Sequence, residues 1–275
     1  MPLSFSSRDK VTPLIIAGRP RAGTRYLTDV LNRFEDVAIQ SEIPNPVMAA
    51  IHRFFRDTDN YYRGAGDSEE RGERGPGELA AWQSKKTSLM FALWIGGAQA
   101  KPKGLDKPLR YFGYKRPKHE DYFDFYEKVF DQSPPVHIFC VRNFVDNYLS
   151  ISSRWPGRDV EEVADEYLAA LAVYRRMVKR APGRVLLFNL DDHIAAGVGY
   201  VRAQILDPLG LELDSAMEAE LEAMGATNRT EADNNAVRRR TLNEAEQAYI
   251  ATRPKLFSEF AALCAHHEPA GAPNP

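Results

Sequence analysis

Leu14-Ile15-Ile16-Ala17-Gly18-Arg19-Pro20-Arg21-Ala22-Gly23-Thr24 is the stretch on which the fold turns. Its first four residues are a short apolar run of the fully buried kind, which predicts a strand. Gly18 to Gly23 then fits Gly-x-x-x-x-Gly. A helix is expected next, because Leu27, Val30, Leu31 and Phe34 are apolar at helical spacing. Strand, glycine-containing turn and helix are the opening of a βαβ unit.

Such a turn can aim the backbone N–H groups of Ala22, Gly23 and Thr24 at a phosphate, with the dipole of the following helix behind them. A P-loop would continue with Lys and then Ser or Thr. Here the next residues are Thr24 and Arg25, so the hydroxyl that holds magnesium is missing from its usual place. The turn therefore reads as a phosphate site that works without a metal. An ordinary glycine turn is the plainer reading. Arg19 and Arg21 favour the phosphate, since arginines on such a turn are otherwise poorly explained.

Outward from this turn the elements alternate. Val37-Ala38-Ile39 predicts a second strand leading to Glu42, and Val47 to Phe55 a helix. Arg56 to Gly77 is polar and glycine-rich and is expected to be a loop, either a solvated insertion or a lid over the acceptor. Leu79 to Ile95 reads as a helix, and Gly96 to Pro108 as turns. Leu109 to Tyr114 reads as a strand ending at Lys115, and Glu120 to Phe130 as a helix. Val136 to Val141 is a near-continuous apolar strand of the kind found in the middle of a parallel sheet, and it ends at Arg142. Helices over Asn147–Ser153 and Val160–Arg180, a strand over Val185–Phe188 and a helical remainder follow. The βαβα order predicts an α/β fold with a central parallel sheet flanked by helices, as one domain over residues 1–267 with a disordered tail at 268–275. Ligands of such sheets bind outside the carboxyl ends of the strands. Arg21, Glu42, Lys115 and Arg142 all follow strand ends, so the pattern converges them on one crevice.

Composition narrows the function. The 275 residues are 44% hydrophobic and 27% charged, with a formal net charge of −2, so a general nucleic-acid binder is not expected. An anionic ligand must be held by a local cluster of cations. The two cysteines, Cys140 and Cys264, and the six histidines form neither a disulfide framework nor a metal-ligand spacing. The first ten residues do not read as a signal peptide, and no run of about 18 apolar residues occurs. A cytoplasmic protein is the expectation. Asp191 and Asp192 read as a helix N-cap rather than metal ligands. Trp82 and Trp94 read as packing residues, as does Trp155, which alternatively lines an adenine.

Residues 18–24 resemble the 5′-phosphosulfate loop of the sulfotransferase family, commonly Pro-(Lys/Arg)-Ser-Gly-Thr-Thr. Arg142 at a strand end with Ser150 eight residues later resembles the family's second donor motif. Tyr114-Lys115-Arg116-Pro117-Lys118-His119 is similar to the Lys-x-Pro segment of the tyrosylprotein and related branches. Glu42 stands 21 residues after Arg21, the place of the catalytic carboxylate in the tyrosylprotein branch. Val185 to Asp192 resembles the family's strand before its C-terminal helices, so the likeness spans roughly residues 12–215. It departs at Ala22, where the family has Ser, and at Arg25, where it has a second Thr.

The resemblance implies a P-loop-like fold and sulfuryl transfer from 3′-phosphoadenosine-5′-phosphosulfate (PAPS) to an acceptor hydroxyl or amine. The bisphosphate PAP is then the product, and no metal is needed. It implies that Arg19, Pro20, Arg21, Ala22, Gly23, Thr24 and Arg25 surround the 5′ end of the donor and that Arg142 and Ser150 hold its 3′-phosphate. Arg238, Arg239 and Arg240 either add 3′-phosphate contacts, through Arg239 foremost, or form a solvated helix face. Arg21 is the candidate at the bridging oxygen, Lys115 at the sulfuryl oxygens and Glu42 the candidate general base, unless Glu42 belongs to a helix N-cap region before Pro44. His119 is a second candidate base or a surface residue at a helix start. The acceptor is a small molecule or carbohydrate. Two other classes stay open: a small-molecule kinase with a degenerate P-loop, and a non-catalytic nucleotide-binding protein. The kinase would need an Asp after an apolar strand, where this chain has Arg142.

Overall fold

The computed structural model describes residues 11–64, 76–98, 108–224 and 241–265. Among these the strands are β1 (Thr12–Gly18), β2 (Val37–Gln40), β3 (Tyr111–Lys115), β4 (Val136–Val141) and β5 (Val185–Asn189). They form a five-stranded sheet in the order β2-β3-β1-β4-β5. β2 runs parallel to β3 with Gln40 opposite Tyr114, and β4 parallel to β5 with Val141 opposite Asn189. After Thr12, β1 is buried at every position, which is what a continuous apolar run requires when both faces are covered. The α/β expectation holds.

By contacts the chain falls into two compact units, one of residues 1–15, 31–116 and 122–136 and the other of 16–30, 117–121 and 137–275. The first contains β2, β3, the helices α2 (Asn45–Tyr62) and α3 (Pro76–Gly97) and α4 (Phe123–Val129). Its core is aromatic: Phe91, Trp94, Phe112, Tyr126 and Phe130 pack as a cluster, with Trp94 fully buried and stacked on Tyr114 at 5.6 Å. Trp82 and Trp94 are packing residues, as expected.

The second unit carries α1 (Thr24–Leu31) up to Val30, α5 (Phe144–Arg154) and α6 (Val160–Arg180), then a run of shorter C-terminal helices beginning with α7 (Leu190–Ala196). α5 is capped by Asn143, whose side chain accepts the Asp146 N–H, and α6 by Asp159, which accepts from Glu161 and Glu162. Tyr174 of α6 packs on Phe139 of β4 with ring centres 4.9 Å apart. No helix of the described residues is long and apolar enough to cross a membrane.

Three segments differ from expectation. α2 does not stop near Phe55 but continues to Tyr62, so residues 56–62 are helix rather than loop. Two of them face inward: Asp59 accepts from Trp82 Nε1 at 2.6 Å and pairs with the buried Lys86 at 2.8 Å, and Tyr62 stacks on Trp82 with ring centres 5.8 Å apart. The rest of the expected loop lies largely outside the described residues, as do Arg239 with its neighbours and the tail at 268–275. The helix expected from Glu120 is a 3-10 turn, His119–Tyr122, followed by α4. That turn buries His119 and Glu120, so His119 is not the surface residue foreseen. Trp155, at 48% exposed, is not a packing residue.

Candidate functional site

The turn after β1 is fixed by contacts that leave little room for other residues. Gly18 has φ +113°, and a Cβ there would fall 2.1 Å from the Cys140 carbonyl oxygen, which already accepts the Arg19 N–H at 2.9 Å. Gly23 has φ +87°, and a Cβ there would sit 2.7 Å from the Phe188 ring. Both glycines therefore serve close approach as well as a left-handed backbone. The Gly18 N–H donates to Glu120 Oε2 at 3.0 Å, and the Lys118 N–H donates to the Gly18 carbonyl at 2.9 Å. Burial pushes the Glu120 carboxyl up, against backbone N–H bonds, including that of Gly18, and the charge of Arg19. Past the turn, Leu27 makes the first main-chain bond of α1 by donating to Gly23. The amides of Gly23 and Thr24 precede it and have no intrahelical acceptor, as at any helix start.

Arg21 is one of two described non-glycine residues with positive φ, at +67°; Lys118 is the other, at +65°. An L-residue in that region carries strain of the kind that collects at functional sites. The Arg21 side chain donates from Nε to Ser150 Oγ at 3.1 Å. On the same helix, Asn147 Nδ2 donates to the Pro20 carbonyl at 2.7 Å. The two motifs, 129 residues apart in sequence at Arg21 and Ser150, thus meet directly. Ala22 and Thr24 are buried in the turn, and the Arg25 side chain is exposed, 3.8 Å from Asp29 one helical turn on.

Arg19 is turned inward rather than towards a phosphate. Its side chain is 2% exposed and pairs with Glu166 at 3.2 Å, and its N–H donates to the Cys140 carbonyl of β4. Lys118 at 2.6 Å and Arg158 at 3.1 Å reach the other oxygen of Glu166. Burial alone would raise the Glu166 carboxyl, but the bonds and charges of Lys118 and Arg19 outweigh it and hold the group at about 2. A carboxyl depressed in the folded state stabilises the fold above its unfolded value and loses that contribution as pH falls. The stability gap between wild type and Glu166→Gln is therefore expected to be constant near neutrality. It should close as pH drops from about 4.5 towards about 2. Thermal midpoints of both proteins across that range check this, and a gap that stays constant contradicts it.

Arg142 follows β4 as expected, and Ser150 lies on the following helix, where it bonds Arg21. Arg142 lies 3.4 Å from Asp191 and 3.4 Å from Asp146. Asp191 was expected to cap α7; the cap is Asn189, whose side chain accepts the Asp191 N–H. Asp191 is the second residue of that helix and reaches back to the Asn143 N–H at 2.6 Å. No sequence signal singled out Glu120, Glu166 or Asp191 for these roles, since each acts across a long separation that local spacing does not encode.

In the first unit, Glu42 follows β2 by two residues and Lys115 ends β3. The parallel register brings both past the same strand ends, and Lys115 Nζ bonds Glu42 Oε1 at 2.6 Å. Glu42 does not cap α2: the N-cap is Pro44, and no side chain bonds there. Ile43 is gripped instead. Its N–H donates to the Tyr114 hydroxyl at 3.0 Å and its carbonyl accepts from the Arg116 guanidinium. Burial pushes the Tyr114 phenol up to about 12, eased by the Ile43 N–H, so it stays a neutral acceptor. The Glu42 side chain remains 37% exposed while Lys115 is 13% exposed, leaving the carboxylate the more open of the pair.

No curated protein sequence matches this chain. Among solved structures, mouse sulfotransferase SULT7A1 complexed with PAP matches over 94% of this chain and 90% of its own, with TM-score 0.51 and 13% identity. Sulfotransferase STF9 from Mycobacterium avium matches over 90% of this chain and 77% of its own, with TM-score 0.49 and 15% identity. The mouse structure supports a shared P-loop-like α/β fold. The sequence profile described as "Sulfotransferase family" matches residues 13–215, from the first strand through the helices after β5 and over more than half of the chain. With that match extending over residues 18–24, over Arg142 and Ser150 and over the strands before them, the chain belongs to the sulfotransferase family.

Proposed function

We propose that this chain transfers a sulfuryl group from PAPS to a hydroxyl or amine of a small-molecule or carbohydrate acceptor. The observation that carries the proposal is the Arg21–Ser150 bond, supported by Asn147 on Pro20. These contacts join the turn suited to a 5′-phosphosulfate to the helix suited to a 3′-phosphate, so one bisphosphorylated adenosine can engage both.

The roles follow from where charge develops. The bond from sulfur to the bridging oxygen breaks, the bond from the acceptor to sulfur forms, and PAP leaves with the negative charge. Arg21 stabilises that charge at the bridging oxygen, together with the amides of Gly23 and Thr24. Arg142 and Ser150 hold the 3′-phosphate, for which a guanidinium is suited. Glu42 takes the acceptor proton, and Lys115 orients Glu42 and faces the sulfuryl oxygens.

Adenosine 3′,5′-bisphosphate without magnesium is expected to stabilise the protein, by about 2.7 kcal/mol at a hundredfold excess over Kd. Thermal midpoints with and without the nucleotide measure it. Stabilisation by ATP with magnesium, and none by the bisphosphate, would sink the proposal in favour of phosphoryl transfer.

A further inference from the structure

Arg142 is set among groups that the donor motif alone does not explain. Its carbonyl accepts the Tyr167 hydroxyl at 2.8 Å, so its backbone is pinned. Its Nε lies 3.4 Å from Asp191 Oδ1. Asp191 is itself fixed: Oδ2 accepts the Asn143 N–H at 2.6 Å, Oδ1 accepts Asn143 Nδ2 at 3.0 Å, and its own N–H donates to Asn189 Oδ1 at 3.1 Å. Asp146 is placed differently. Its Oδ2 lies 3.4 Å from Arg142 Nη2, it sits four residues on along α5, and its side chain is 47% exposed against 26% for Asp191.

A guanidinium offers five N–H donors in a planar fork. A carboxylate on Nε leaves the terminal nitrogens for a phosphate; a carboxylate on Nη2 takes one of the two that bidentate binding uses. We propose that the two acids set the affinity of Arg142 for the donor's 3′-phosphate in opposite directions. Asp191 is a positioning residue that holds the guanidinium by its Nε edge, and Asp146 competes with the phosphate for Nη2. This rests on the donor reading above. In Asp191→Asn one oxygen becomes an NH2 group, so either Arg142 Nε with Asn143 Nδ2, or the Asn143 N–H, meets a donor instead of an acceptor. In the first case Arg142 loses its bond outright; in the second the anchor that fixes residue 191 beside it is lost, and in both the charge that holds Nε is gone. In Asp146→Asn the amide oxygen can still accept from Asn143 Nδ2, while the charge that repels the phosphate is gone.

The test is titration of adenosine 3′,5′-bisphosphate and of adenosine 5′-monophosphate, which lacks the 3′-phosphate, into each protein. Asp191→Asn is expected to weaken the bisphosphate about tenfold, the loss of one bond to a charged group. Asp146→Asn is expected to tighten it about threefold, the scale of an exposed ion pair. Neither should change the monophosphate, and in an Arg142→Ala background Asp191→Asn should have no further effect. Equal loss for both nucleotides, no change in Asp191→Asn, weaker or unchanged binding in Asp146→Asn, or an Asp191 effect that survives Arg142→Ala each overturns the inference. Asp146 is exposed, so its variant keeps the test decisive even if Asp191→Asn folds poorly. Wild-type protein that does not prefer the bisphosphate overturns the donor reading itself, and that result needs no variant.

Discussion

Arg21→Gly is expected to cut the rate of sulfuryl transfer by about a thousandfold, the cost of removing one donor aimed at developing charge. Its thermal midpoint should nevertheless stay within a few degrees of wild type, because the stability terms nearly cancel. Arg21 sits at φ +67°, where a side chain costs about 1–2 kcal/mol that glycine does not bear. Against this, glycine gains about 0.5–1 kcal/mol of freedom in the unfolded chain. The lost bond from Nε to Ser150 removes about 1 kcal/mol more. Arg21→Ala separates the terms: it keeps the backbone strain and loses the same bond, so it should be the less stable of the two and equally inactive. Initial rates at saturating donor, beside calorimetric midpoints, measure both. A glycine variant within tenfold of wild type would remove Arg21 from the chemistry. One that melts far below wild type would mean that the arginine is structural and its strain incidental.

The strain at Arg21 marks a boundary in what the sequence discloses. Strand β1, the glycine turn and α1 were legible because each is a local pattern: a buried apolar run, two glycines and an amphipathic stripe. The residues after the strand ends were legible for the same reason. What the glycines do was not, since it takes the Cys140 carbonyl and the Phe188 ring to show that a Cβ has nowhere to go. Arg19 illustrates the cost of reading residue type without direction. It follows a phosphate-type turn by spacing, yet its guanidinium is spent on Glu166, 147 residues away. The end of α2 was missed on similar grounds, because between Phe55 and Tyr62 the inward contact is the pairing of Asp59 with the buried Lys86, which hydrophobic periodicity does not count. The bond of Ser150 to Arg21 was likewise beyond local spacing, which places Ser150 on the helix after Arg142 but does not set that helix against a turn 129 residues away.

Glu42→Gln is expected to lower kcat by a factor of about 100 to 10,000, the usual contribution of a positioned general base, with donor affinity within about twofold of wild type. The substitution is nearly isosteric and the amide oxygen can still accept from Lys115 Nζ, which lies 2.6 Å from the carboxylate. The grip of Tyr114 and Arg116 on Ile43 should be untouched, so the segment keeps its place. What disappears is the capacity to take a proton. That loss matters most for an acceptor that holds its proton tightly. The deficit should therefore be largest for aliphatic alcohols and shrink for phenols of low pKa, which ionise without help. A purely structural role predicts the same deficit for every acceptor. Rates for a series of acceptors with graded pKa, each at saturating donor, separate the two: an equal loss along the series, or transfer at the wild-type rate, would take the base away from Glu42 and leave the carboxylate only as the partner of Lys115.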